Sequence, residues 1–433
     1  MIERTLFEEL KNHLDKKEIS LIIGPRQAGK TTLMLWLKDY LEKRGERTLF
    51  LSLDFERDQP YFLSQGALLH KIRLELGDKK GYVFIDEIQR KENGGLFLKG
   101  LYDLNLPYKF IVSGSGSMEL KEKIHESLIG RKRIFELNTL SFQEFVNFRT
   151  HYQYRDKLRD FFAVEKERTK ELLWEYLNFG GYPRVVLEET LEEKRKIMDE
   201  IYRSYIEKDI SYLLRVEKIE AFTALIKILA SQTGKLINYT ELSSTLGISL
   251  NTVKNYLWFA EKTFLIRRVT PYFRNIRKEI TRSPVVYFYD LGLRNYSLGL
   301  FGNLSSPPQF GRLMQNLVLN ILQEKLRFRG GEIHFWRSKD KAEVDFVVQF
   351  GERIFPVEVK FKELKKPETS RSLKNFLLRY NPSTALVINL SLNTTVKTNS
   401  THIYFLPFYE LIFLRLNPGS GPEIGLPAPK LSP

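Results

Sequence analysis

The chain has 433 residues, 42% of them hydrophobic and 28% charged, a balance that excludes a disordered chain and fits two or three folded domains. With no cysteine, disulfides, thiolate zinc sites and cysteine nucleophiles are excluded, and the reducing cytoplasm is the expected compartment. Sixty-eight basic against 53 acidic residues leave a formal charge of +15, which points to a polyanionic partner or to a solvated basic surface.

Met1 to Leu10 mixes charged with apolar residues and lacks the unbroken run of a signal peptide. No later run reaches the roughly 18 to 20 apolar residues that cross a bilayer, so no membrane partner is expected. Ile19–Ile23 is a β-branched apolar run leading into Gly24-Pro-Arg-Gln-Ala-Gly-Lys-Thr31 and an amphipathic stretch to about Leu41, which reads as strand, glycine loop and helix. The pattern is that of a loop whose backbone N–H groups cradle phosphates. Gly24, Pro25, Arg26, Gln27, Ala28, Gly29, Lys30, Thr31 and Thr32 are therefore the expected ATP-binding residues. Lys30 would reach the β- and γ-phosphates and Thr31 would ligate Mg2+. Trp36 with Leu33, Leu37 and Leu41 reads as core.

A second apolar strand, Gly81–Ile85, ends in Asp86-Glu87. Asp86 would hold Mg2+ and Glu87 would activate the attacking water. A third, Tyr108–Val112, ends in Ser113-Gly-Ser-Gly-Ser117, where Ser113 or Ser115 is either a γ-phosphate sensor or part of a plain Gly/Ser turn. Arg131 is the candidate arginine finger, completing a neighbouring copy's site, and Arg133 is second. A solvated basic face is the alternative. Strands alternating with helices over 19–137 predict a parallel α/β sheet.

From Ser141 to about Arg215 the pattern is helical, interrupted by Gly180-Gly-Tyr-Pro183, a predicted turn and hinge. Tyr202–Ile210 continues as helix. Residues 238–269 read as helix, turn at Gly247, helix, strand. If this segment engages DNA, Asn251, Thr252, Lys254 and Asn255 would face the groove. Arg267, Arg268, Arg274, Arg277 and Lys278 would then meet phosphates, with Tyr272 and Phe273 among them. A spacer or protein-contact role is the alternative.

Glu343–Val348 and Phe355–Phe361 form a predicted hairpin turning near Gly351, with Glu343 and Asp345 on one face and Glu358 and Lys360 facing them. Asp345 and Glu358 could ligate a second Mg2+, with Lys360 stabilising charge. A charge-paired polar face is the alternative. The order Asp, then Glu-x-Lys, resembles the PD-(D/E)XK nuclease motif.

These pieces together resemble a prokaryotic family of AAA-type P-loop ATPases, often labelled archaeal-type, with a C-terminal domain of unknown function. Gly24–Thr31, Ile85–Gln89, Ser113–Ser115, Gly130-Arg131, Leu140–Phe145, Gly180–Pro183, Asp290–Leu293, Glu343–Phe346 and Val357–Lys360 carry the likeness. It implies an α/β P-loop ATPase sheet domain, a helical and winged-helix segment and a smaller PD-(D/E)XK-like α/β domain, with ATP and Mg2+ as cofactors. The corresponding boundaries are 1–165 for the ATPase, 166–236 for a helical linker or lid, 237–300 for the winged helix, 301–416 for the nuclease-like domain and 417–433 for a disordered tail. Two departures stand out: Gln315 where the family has glutamate, and Val285 where lysine is common. The expected function is ATP hydrolysis coupled to segments that engage DNA, with a second copy of the chain as a further candidate partner. The alternatives are an ATP-regulated Mg2+ nuclease and a nucleotide-switched protein scaffold.

Overall fold

The computed structural model describes residues 2–115, 128–205, 219–273, 283–304, 307–327, 329–338, 340, 342–417 and 421–423. Arg274, Arg277, Lys278 and Ser117, and residues 206–210 of the expected helix, lie outside them.

The chain opens with helix α1 (Leu6–Lys11), followed by β1 (Ile19–Gly24), α2 (Lys30–Glu42), β2 (Thr48–Ser52), α3 (Gln65–Leu76), β3 (Gly81–Asp86), α4 (Gly94–Asp103), β4 (Tyr108–Ser115) and β5 (Lys132–Glu136). The five strands form one parallel sheet in the order β2-β3-β4-β1-β5. Every residue of β1 and β3 is buried, as a parallel sheet covered on both faces requires. This is the P-loop NTPase framework. On one face Leu33, Leu37 and Leu41 of α2 pack with Ile22, Phe84 and Ile111. Trp36 is partly buried there and stacks on Phe7 at 3.9 Å.

Helices α5 (Phe142–Arg149), α6 (Leu158–Val164), α7 (Lys166–Phe179), α8 (Pro183–Leu187), α9 (Leu191–Ser204) and α10 (Ile219–Ser231) follow. A Ser141–Glu144 capping box opens α5, satisfying two backbone donors reciprocally. Next come α11 (Tyr239–Leu246), Gly247 in the left-handed region, α12 (Leu250–Lys262) and an antiparallel pair, β6 (Ile266–Val269) with β7 (Val285–Phe288). Val285 is buried opposite Val269. Beyond α13 (Leu291–Ser297) and α14 (Pro307–Leu326), strands β8 (Glu332–Arg337), β9 (Glu343–Phe350) and β10 (Arg353–Val359) precede α15 (Arg371–Tyr380). Strands β11 (Thr384–Asn389), β12 (Thr394–Thr398) and β13 (Thr401–Pro407) complete a six-stranded mixed sheet, β12-β13-β11-β10-β9-β8.

The chain divides into two compact units that interleave: residues 1–140, 182–223 and 254–265 in the first, and 141–181, 224–253 and 266–433 in the second. The linear boundaries expected from sequence do not match this division, because 182–223 and 254–265 return to the unit of the parallel sheet. Residues 421–423 pair antiparallel with 415–417, while 418–420 and 424–433 lie outside the described residues. No helix among the described residues is long and apolar enough to cross a membrane.

Within the second unit Gly180-Gly181 is a turn held on one side. Gly180 has φ 72°, and a Cβ there would lie 2.4 Å from Asp290 Oδ1 and 2.5 Å from the Gly292 nitrogen. Asp290 accepts from the Gly181 N–H at 2.8 Å and caps α13 through the Leu293 N–H at 2.8 Å. The two glycines and Asp290–Leu293 thus pack together within the second unit. Tyr272 is buried in the second unit's core with Trp336, Phe376 and Val387, and is not a surface aromatic available to a nucleic acid.

Candidate functional site

The carboxyl ends of β1, β3 and β4 are neighbours because β4 lies between the other two, so three sequence-distant strand ends meet at one edge. Gly24 closes β1 where a Cβ would sit 2.0 Å from the Leu137 carbonyl oxygen. Only glycine lets the loop leave the sheet beside β5. Lys30 begins α2, is buried, and donates to the carbonyls of Gly24 at 3.1 Å and Pro25 at 2.9 Å. Its ammonium therefore lies inside the loop, where phosphate oxygens can take the place of those carbonyls.

Thr31 Oγ1 donates to Asp86 Oδ2 at 2.8 Å. Ser113 Oγ donates to Asp86 Oδ1 and accepts from the Glu87 N–H at 3.1 Å. A hydroxyl has one proton, and that of Ser113 is used on Asp86. The Ser113 hydroxyl thus ties the Asp86 carboxylate to the Glu87 backbone. The Ser115 backbone is in register with Gly24. Glu87 sits at φ 58°, ψ 43°, a left-handed conformation that costs a glutamate about 1 kcal/mol or more. Its half-buried carboxylate accepts from Gln89 Nε2. Burial raises its pKa, with Asp86 adding to the rise and Lys30 opposing it. A hydroxyl and a carboxylate at hydrogen-bond distance offer the hard oxygen donors that Mg2+ takes, so Thr31 and Asp86 fit that cation.

Arg131 is not at this edge. Its carbonyl accepts from the Ile19 N–H at the start of β1, and its guanidinium pairs with Asp103 at 2.7 Å. Because β5 runs parallel to β1, residues 131 and 133 lie at the amino edge, roughly 16 Å of strand away from Gly24. Arg133 is in register with Ser20. Neither reaches the phosphate loop of its own chain; the expectation for Arg131 concerns a neighbouring copy's site.

Arg4 and Arg184 contact the loop and Gln89 contacts Glu87; of the three only Gln89 lay in a motif read from sequence. Arg4 is buried and donates to the Ala28 carbonyl at 2.8 Å and the Asn138 carbonyl at 2.6 Å, tying the loop to the end of β5. Gln89 reaches Glu87 as described. Arg184 Nη1 donates to Gln27 Oε1 at 3.1 Å. Only Gln89 had a local signal, its place two residues after Glu87. The others lie 24 and 157 residues from their partners.

The second unit holds the other expected site. Phe346 pairs with Val357, which sets Asp345 opposite Glu358 as the hairpin predicts. Gln315, on α14, donates to Asp345 Oδ1 at 2.8 Å, and the Val359 N–H donates to Asp345 Oδ2 at 2.7 Å. Both carboxylate oxygens thus face N–H donors. Burial first, then Glu358 and Glu343, push the Asp345 carboxyl up to about 7, against the Val359 N–H. Lys360 donates to the Glu368 carbonyl at 2.6 Å, and Glu358 Oε2 is buried with no hydrogen-bond partner. No group of three or more His, Asp or Glu side chains that could hold a metal occurs among the described residues. Two N–H donors hold Asp345, and the buried Oε2 of Glu358 is the acceptor left open in this pocket.

On the helix-turn-helix, Asn251, Lys254 and Asn255 are exposed and Thr252 is half-buried, its N–H capped by Ser249 Oγ. Arg267 lies over the Tyr289 ring at 4.3 Å.

Residues 16–146 match the AAA domain family. Residues 170–304 and 310–411 match two domains of unknown function, DUF8612 and DUF4143. The chain is 28% identical over 373 residues to an uncharacterized protein of Mycobacterium tuberculosis, covering 85% of this chain and 76% of that one. It is 26% identical over 388 residues to an uncharacterized protein of Haemophilus influenzae, covering 87% and 90%. Among solved structures, the Aeropyrum pernix ORC1 protein in complex with DNA is similar at 12% identity and a TM-score of 0.30, over 71% of this chain and 93% of that chain. The first unit thus carries an AAA-type P-loop module.

Proposed function

We propose that this chain is a Mg2+-dependent ATP hydrolase of the AAA type whose nucleotide state acts on the segments beyond the first sheet, and that those segments engage DNA. The observation that supports it is the meeting of Lys30, Thr31, Asp86, Glu87 and Ser113 at one sheet edge. The loop's N–H groups and the start of α2 bind the phosphates, and Lys30 exchanges two loop carbonyls for phosphate oxygens. Mg2+, when held by Thr31 and Asp86, supplies charge neutralisation on the β- and γ-phosphates. Glu87 accepts a proton from the water whose oxygen attacks the γ-phosphorus. The bond to the ADP oxygen breaks, leaving ADP and inorganic phosphate. A carboxylate whose pKa burial has raised is a stronger base for this proton than an exposed one. Ser113 keeps Asp86 and Glu87 in place throughout. DNA as the partner rests on the charge of +15 and on the exposed Asn251, Lys254 and Asn255 of α12, a polar helix face of the kind that reads a groove.

The test is steady-state ATP hydrolysis by wild type, Lys30→Ala and Glu87→Gln, with and without duplex DNA, across a salt series. Wild type should turn over and respond to DNA at low salt, with the response fading as salt rises. Lys30→Ala should lose ATP binding, while Glu87→Gln should bind ATP and not cleave it. Undiminished hydrolysis in Glu87→Gln removes the catalytic assignment, and hydrolysis indifferent to DNA at every salt concentration removes DNA as the partner.

A further inference from the structure

One stretch of the second unit carries a disproportionate share of the charge. Between Lys360 and Arg379 there are seven basic and two acidic residues, so five of the chain's net fifteen positive charges lie within twenty residues. The stretch is the loop from β10 to α15 and the helix itself. Leu364 is buried with Leu373, Phe376 and Leu377 of α15 and with Val344 and Val347 of β9, which pins the loop beside the helix and leaves its neighbours in solvent. Lys362, Lys365 and Lys366 are exposed on that loop, and Arg371, Lys374, Asn375 and Leu378 are exposed on α15, at the spacing of one helix face. The backbone beneath them is held: the Lys362 carbonyl accepts from the Leu390 N–H at 3.2 Å, and the Glu368 carbonyl accepts from Lys360 Nζ at 2.6 Å. The acids that border the strip are already engaged. Glu363 pairs with Lys170 at 2.7 Å, Glu368 with Lys362 at 3.5 Å and Glu343 with Arg337 at 3.9 Å. Lys365, Lys366, Arg371 and Lys374 have no ion-pair partner among the described residues.

Resting on the DNA reading above and extending it, we propose that this strip is a docking surface for the phosphate backbone of duplex DNA, made of residues other than those of α12. Cations held on a fixed backbone and unpaired with protein acids each release a counterion condensed on DNA, the main source of sequence-independent affinity. Duplex is favoured over single strand by what the strip lacks. Phe361 is half-buried and stacked on Phe310, and no aromatic side chain between 360 and 379 is exposed, whereas single-strand binders use rings on which bases stack. Phosphate contacts fix position and carry no sequence information, so the strip holds duplexes of any sequence.

The test is fluorescence-anisotropy titration of labelled duplex and single-stranded DNA of equal length with the full chain, over a salt series. The proteins are wild type, the triple variant Lys365→Gln/Lys366→Gln/Lys374→Gln, the matching triple arginine variant and Lys254→Gln of α12. Each phosphate contact contributes about 0.9 to the slope of log affinity against log salt. The triple glutamine variant should therefore flatten the duplex slope by about 2 to 3, and weaken binding about equally on unrelated duplex sequences. The arginine variant should keep the wild-type slope, and Lys254→Gln should change it by about 1 at most. A glutamine-variant slope equal to that of wild type, with wild-type duplex binding intact, overturns the strip and leaves the DNA reading standing. No duplex binding by wild type even at low salt sinks the DNA reading and the strip with it. Single strands held more tightly than duplex overturn the duplex assignment. Thermal melts of the same samples separate loss of fold from loss of charge.

Discussion

Replacing Asp345 by asparagine should stabilise the second unit at alkaline pH. The carboxyl titrates near 7, up from the ordinary 3.8, chiefly through burial. An acid whose folded pKa is raised is protonated more readily in the folded state, so folding stability falls as pH rises from about 4 to about 7, and the full cost is present above 7. The shift corresponds to about 4 kcal/mol. The side chain is only partly buried by area, and solvent screening reduces this to about 2 kcal/mol. Asparagine is nearly isosteric and removes the charge. Its oxygen can accept from the Val359 N–H while its NH2 faces Gln315, whose amide can turn to present oxygen. Calorimetric melting of the full chain at pH 8 should show a transition raised by about 4 to 8 °C, and the gain should shrink toward zero by pH 4. A lower transition temperature at pH 8, or an equal shift at both pH values, would refute the account of a buried carboxylate held against N–H donors.

The same pocket supports a gain-of-site test. Gln315→Glu places a third carboxylate where an amide donor touches Asp345, so the metal-free protein should lose about 2 kcal/mol. Mn2+ should then raise its melting temperature, while wild type stays unmoved; an equal Mn2+ response in both would show that donors do not bar the cation. Gly180→Ala should cost more than about 2 kcal/mol, since its Cβ would strike Asp290 and Gly292 at positive φ. Native-like melting of that variant would remove the junction as a structural constraint.

Local order in the chain carried a good deal. An apolar run, a glycine loop and a helical stripe within 24 residues place Lys30 and Thr31 at a helix start, and Asp86-Glu87 follow a buried run directly, so neighbouring residues alone dictate those geometries. The hairpin behaves alike, because strand alternation about Gly351 sets Asp345 across from Glu358. What needed the tertiary structure is everything that depends on which strand end meets which. Arg131 falls at the amino edge because β5 runs parallel beside β1, a placement no local pattern contains. The donors on Asp345 come from a helix 30 residues earlier as well as from the adjacent strand. Asp290 holds a turn 109 residues before it, and Arg184 reaches a loop 157 residues before it. Side-chain chemistry is written in local order, but whether a carboxylate faces a cation, an amide or a phosphate is decided by packing between segments far apart in the chain.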